Sequence, residues 1–185
     1  MRMKFGAVGR IIGQVLGGVA GLLRSRHYVV VGESMRPALA HRQHVQTRPL
    51  ARRSGPRAPV RGDIVAFRHP LEPGRVYIKR IVGLPNEHIA LAEGQVVIDG
   101  VLHAEPYLLP GPPARPRYAS QWFTGDDEYF LLGDNRADSE DSRTFGPVPG
   151  CRIVGRVWFS YWPVRVWPSG SRPGAGDLAP RQPVA

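Results

Sequence analysis

Glycine and proline interrupt this chain at short intervals, and that punctuation limits its fold more than any other feature. Of 185 residues, 22 are Gly and 19 are Pro, which leaves little room for long helices. A helix bundle or a coiled coil is therefore excluded. What remains is a series of short extended runs separated by turns: HYVVVG (27–32), HVQTR (44–48), DIVAFR (63–68), VYIKRIVG (76–83), HIALA (88–92), QVVID (95–99), EYFLLG (128–133) and IVGRVWFSYW (153–162). Asp99-Gly100 stands between two such runs, a strong type I′ hairpin signal. Strands this short and closely spaced predict an all-β barrel or sandwich. A hydrophobic fraction of 42% is enough for a packed core, so the chain as a whole is not disordered. The length suits one domain, or one domain with a modest insertion. ARRSGPRAP (51–59) and PGPPARPR (110–117) read as loops, and the Pro/Gly-rich stretch 168–185 as a disordered tail.

Charge and cysteine use narrow the partners. The formal net charge is +10, which suits nucleic acid or an anionic membrane surface. The 25 basic residues comprise 23 Arg and only two Lys, Lys4 and Lys79. Arg is thus the default cation here, and a lone Lys in the folded region is informative because Lys can lose its proton and Arg cannot. A single cysteine, Cys151, excludes an intramolecular disulfide and a Cys-based metal site. At the N-terminus, Arg2 and Lys4 precede an apolar run from Ala7 to Leu23, which contains Arg10 and Gln14 and is closed by Arg24 and Arg26. At 17 residues it is short of the roughly 20 that a full span needs. A membrane anchor, an amphipathic helix on a surface and a secretory signal all fit it. No small-x-small cleavage site follows the run, and basic flanks on both sides do not orient it.

The candidates for chemistry are few. Six His are scattered without H-E-x-x-H spacing, and there is no G-x-S-x-G elbow or Gly-rich phosphate loop. No helix-turn-helix or basic helix is present, so the dispersed Arg residues read as a solvated surface rather than a nucleic-acid site. Four segments stand out: GESMRPAL (32–39), RGDIVAF (61–67), VYIKRIVGLP (76–85) and GDNRADSEDSRTFGPVP (133–149). Taken singly each has an ordinary reading. Ser34 is a turn residue, Lys79 a cation snorkelling at a sheet edge, and the Asp-rich loop an Asx-turn whose spacing fails the EF-hand pattern.

In this order, the four segments resemble the boxes of the type I signal peptidase (leader peptidase) family. The resemblance covers about residues 27–163, and the GDNR-x-x-S-x-D-S-R element is its most specific part. It implies a signal-peptidase-like, antiparallel β-barrel-type core with an inserted smaller β region at about 84–127, preceded by one N-terminal apolar helix. The implied layout is a membrane-anchor segment at 1–26, a catalytic β domain at 27–167 and the tail at 168–185. Residue by residue, Ser34 matches the family's nucleophile and Lys79 its general base. Ser139 matches the residue that hydrogen-bonds and orients the Lys, and Asp141 and Arg143 the pair that braces the site. Met35 matches the substrate-side Met. Gly32 departs from members that carry Ser there to complete the oxyanion hole, and LPNE after the Lys strand departs from the commoner L-P-G-D.

The resemblance further implies a single-pass membrane endopeptidase whose catalytic domain lies on the extracytoplasmic side. It would act without metal or cofactor, as a monomer, on preproteins bearing signal peptides and cut after an Ala-x-Ala-like site. Elementary chemistry agrees with the Ser/Lys pair: a Ser hydroxyl needs an adjacent base, and Lys serves only when burial lowers its pKa toward neutrality. Trp158, Phe159, Tyr161, Trp162 and Trp167 form a candidate patch for membrane lipid, with core packing as the other reading. Two further classes are a self-cleaving or specialised maturation Ser/Lys protease and a non-enzymatic membrane-surface β module. Residues 1–26 are too short and apolar for the DNA-binding domain of a self-cleaving repressor.

Overall fold

The computed structural model describes residues 25–50, 58–92, 94–108, 120–161 and, for the backbone alone, 164–166. The strands are β1 (Arg26–Val29), β2 (His44–Arg48), β3 (Ile64–Arg68), β4 (Val76–Gly83), β5 (His88–Ala92), β6 (Gln95–Ile98), β7 (Val101–Leu102), β8 (Ser120–Phe123), β9 (Glu128–Leu132), β10 (Val148–Pro149), β11 (Ile153–Tyr161) and β12 (Val164–Val166). One helical turn, α1 (Ser142–Phe145), sits between β9 and β10. The expected N-terminal helix, the anchor run 7–23 and the tail 168–185 lie outside the described residues. No described helix is long and apolar enough to cross a membrane.

Two antiparallel sheets carry the fold. The larger has the order β1-β2-β11-β3-β4-β9-β10, with β12 added on β11. The smaller, β7-β6-β5-β8, is built from residues 88–123. The expected type I′ turn joins β6 to β7, with Asp99 and Gly100 at φ 48° and 79° and Ile98 paired with Val101.

The larger sheet does not close into the expected barrel, because its path ends at β1 and β10 without a return. The register pairs β9 with β4 only from Arg80 to Gly83, since the chain turns away into a loop after Leu132. The first half of β4 therefore faces a groove whose other wall is the β1 segment, including Tyr28, Val29 and Val31.

Strand composition follows from burial on both faces. On β9, Phe130 and Leu132 pack toward the small sheet with Ile89, Leu91, Val96 and Ile98. Tyr129 and Leu131 pack on the opposite side with Val65, Phe67, Ile81 and Val148. A strand buried on both faces reads as a continuous apolar run rather than an alternating one. Gly83 permits the sheets to approach: a Cβ there would lie 2.7 Å from Phe130 Cβ and 2.8 Å from Ile89 Cδ1. A third cluster, formed by Val30, Met35, Ala38, Leu39, Val45, Ile64 and Val157, underlies the turn that carries Ser34. Trp158, Phe159 and Tyr161 belong to none of these clusters. They make a half-buried row of ring contacts on β11, with the Arg48 guanidinium 3.6 Å from the Trp158 ring. Trp162 and Trp167 lie outside the described residues.

Candidate active site

Ser34 sits in the turn that follows β1, half-buried, above Met35, which is 1% exposed and anchored in the cluster below. Gly32 opens this turn with φ +92°, a conformation that favours a residue without Cβ. Its N–H donates to His41 Nδ1 at 3.1 Å. The turn tightens through Arg36 N–H to Glu33 O and Leu39 N–H to Met35 O.

Lys79 does not snorkel. It lies on β4 opposite Val65 and is only 3% exposed, on the same strand face as Tyr77 and Ile81. Its Nζ donates to Ser34 Oγ at 2.7 Å. Burial disfavours the ammonium and lowers the pKa of Lys79 to about 8. The charges of Asp141 and Glu140 oppose this shift, and that of Arg143 adds to it.

The loop 133–141 and the helical turn α1 that follows it hold Ser139, Asp141 and Arg143. Asp141 is fully buried. One of its oxygens accepts from the Arg143 N–H (3.2 Å) and Nε (2.8 Å), and the other from Gly133 N–H (3.0 Å) and Arg143 Nη2 (2.9 Å). Arg143 Nη1 also reaches Arg136 O at 2.8 Å. This pair therefore braces the loop on itself. Ser139 differs from expectation: its buried hydroxyl has no hydrogen-bond partner, and Lys79 Nζ is instead directed at Ser34. Ser139 is packed over Gly133, where a Cβ would collide with it and would lie 2.6 Å from Ser34 O.

Several site residues were not singled out from the sequence, although they stand inside the quoted segments. Asn135 N–H donates to Ser34 O at 3.0 Å, and its side-chain amide donates to Glu33 O at 3.3 Å. Arg80, 1% exposed, makes a two-point pair with Asp134 (2.8 and 2.6 Å) and donates to Gly62 O at 2.9 Å. A second cation beside Lys79 in an apolar strand was the one available hint of this pair.

The groove has a volume of about 460 Å³ and is lined by Tyr28, Val29, Val31, Met35, Val76 and Ile78, together with Ser34 and Lys79. Gly32, Asp138 and Glu140 line it as well. Among the described residues, His69, Glu72 and Glu140 form a cluster of metal-ligand type. His69 Nδ1 accepts from the N–H groups of Leu71 (3.3 Å) and Glu72 (3.0 Å). Nδ1 is thus engaged by the backbone, and Nε2 faces Glu140 at 3.9 Å.

Comparison with known proteins agrees with the four sequence segments. A family model described as signal peptidase, peptidase S26, matches residues 7–162. A signal peptidase I of Bacillus caldolyticus is 35% identical over 153 residues, covering 75% of this chain and 80% of its own. A probable signal peptidase I-2 of Synechocystis is 37% identical over 114 residues, 58% of this chain and 50% of the relative, so the chain spans about half the length of that protein. A crystal structure of a signal peptidase I from Enterococcus faecalis shares 31% identity with a TM-score of 0.48, covering 53% of this chain and 95% of that one. The family model and the Bacillus relative make the protein a hydrolase of the serine endopeptidase class. The chain belongs to the signal peptidase family, peptidase S26.

Proposed function

We propose that this protein is a membrane-anchored endopeptidase that removes N-terminal signal peptides from exported preproteins, with Ser34 as nucleophile and Lys79 as general base. The observation that carries this reading is the 2.7 Å contact between Lys79 Nζ and Ser34 Oγ, made by a lysine that is 3% exposed. A lysine held near pKa 8 is available as a neutral amine at mildly alkaline pH. The neutral amine takes the Ser34 proton as Oγ bonds to the substrate carbonyl carbon. The resulting oxyanion is met by the Ser34 backbone N–H, since Gly32 has no side chain and its own N–H is donated to His41. The Lys79 ammonium then protonates the leaving nitrogen as the C–N bond breaks, and the mature chain departs. Lys79 next removes a proton from water, which adds to the acyl ester. Return of that proton to Oγ releases the signal peptide.

Substrate is bound as an added strand between the β1 segment and the first half of β4, in the gap where the larger sheet stays open. The apolar walls of the groove favour small apolar side chains at the first and third positions before the cut. The run 7–23 would anchor the enzyme, with the catalytic domain on the extracytoplasmic side and Trp158, Phe159 and Tyr161 near lipid headgroups.

Cleavage of matched peptides tests this. Ala-x-Ala should be cut at a single bond and Leu-x-Leu rejected by steric overlap. Equal cutting of both would sink the pocket assignment. Protection of the 27–161 region from protease added to spheroplasts would sink the outside placement.

A further inference from the structure

Between β7 and β8, the chain places Glu105 and Tyr107 against the loop that supports Ser34, although neither residue lines the groove. Tyr107 is 2% exposed, and its ring centroid lies 4.1 Å from the Arg80 guanidinium carbon. Its hydroxyl donates to the Glu105 carboxylate. Burial, followed by the Glu105 charge, pushes that hydroxyl far above its ordinary pKa, so it remains a donor. Glu105 in turn grips Arg136 at two points, one of them Nη1 to Oε2 at 2.8 Å, with side-chain exposures of 7% and 10%. Arg136 Nε donates to Gly133 O at 3.1 Å, and Arg80 holds Asp134. Gly133, Asp134 and Asn135 are consecutive, and Asn135 N–H holds Ser34 O.

Two acids and two guanidiniums thus form a neutral, desolvated set closed by one tyrosine. Half of its grip on the loop, Glu105 with Tyr107, comes from the segment that also carries the small sheet. Removal of one acid from such a set leaves a buried cation uncompensated. Here the consequence reaches the nucleophile, because the loop that would relax is the one fastened to Ser34. We propose that Glu105 and Tyr107 are positioning residues: they hold the 133–135 loop in the register that aims Ser34 Oγ at Lys79, acting through Arg136 and Arg80. This rests on the reading of Ser34 and Lys79 as the reacting pair.

The test uses the full chain in detergent and an Ala-x-Ala peptide, with kcat, KM and melting temperature measured for each variant. Glu105→Gln should lower kcat about tenfold or more while KM stays within about twofold, since the groove is untouched and only alignment is lost. Tyr107→Phe, which keeps the ring over Arg80, should lose less kcat than Tyr107→Leu. Glu87→Gln is the control. It breaks the Arg61–Glu87 pair, which ties the same inserted region to the core without touching the 133–135 loop. It should lower the melting temperature and leave kcat unchanged. If Glu105→Gln fails to fold, Tyr107→Phe and Arg136→Lys carry the same comparison. Should these variants melt earlier yet keep wild-type kcat, as the control does, the positioning role is overturned. Wild-type protein that leaves the peptide intact would overturn the Ser34/Lys79 reading instead, an outcome separate from the variant comparison.

Discussion

Lys79 Nζ lies 2.7 Å from Ser34 Oγ across 45 positions of sequence, and the lysine reaches it from a strand face shared with Tyr77 and Ile81. The same burial that makes this amine a base makes its ammonium costly, so activity and stability respond to pH in linked ways.

Activity should follow the neutral fraction of Lys79. With the pKa lowered to about 8, kcat/KM should rise about tenfold per pH unit below that value and level off above it. A pH–rate profile on an Ala-x-Ala peptide reads this directly. A flat profile down to pH 5 would point to a carboxylate base.

Stability carries the opposite mark of the same shift. In the unfolded chain Lys79 titrates near 10.5, and in the fold near 8. Below pH 8 both states hold the proton and the full desolvation cost is present. Between 8 and 10.5 only the unfolded state binds it, so stability rises with pH, and above that the cost is gone. Lys79→Met should therefore abolish cleavage yet stabilise the fold at pH 7, by roughly 2–3 kcal/mol. Urea melts at pH 7 and pH 10 check this, with the gain shrinking at the higher pH.

Gly133→Ala should damage the site more than the fold. Its Cβ would fall 2.6 Å from the Ser34 carbonyl oxygen, a backbone atom fastened by Asn135, as well as on Ser139. Overpacking of this kind costs about 1–3 kcal/mol, and displacement of Ser34 should lower kcat by about 100-fold. Paired measurement of melting temperature and kcat separates the two effects.

Much of this fold was legible because local chemistry dictated it. Asp99-Gly100 made its turn, and the HVQTR, HIALA and VYIKRIVG runs became strands with the bounds read from their patterns. The strand of Ser120–Phe123 was missed because four residues beside a Pro-rich loop show no usable period. Helix α1 was missed because Asp141, its N-cap, reads as one more polar residue in an Asp-rich loop. Ser34 and Lys79 were named from motif order, and the fold brings them together. Arg80, Asp134, Glu105, Arg136 and Tyr107 were not, since a buried ion-pair network depends on which strands meet, and residue type alone advertises solvent exposure for each of its charged members.

That network carries its own prediction. Asp134→Ala leaves Arg80, 1% exposed, without its two-point partner. The loss should be about 3–5 kcal/mol. Chemical denaturation of the variant measures it, and a loss below about 1 kcal/mol would mean that water or Glu105 already compensates Arg80.

The most direct measurement of the central claim is kcat/KM for wild type, Ser34→Ala and Lys79→Arg on one Ala-x-Ala peptide at pH 8.5, with folding verified by circular dichroism. An arginine stays charged at any working pH and cannot accept the Ser34 proton. Both variants should therefore fold and fall below about 1% of the wild-type rate. Retention of more than a few per cent of that rate by folded Lys79→Arg would contradict the assignment of Lys79 as the base.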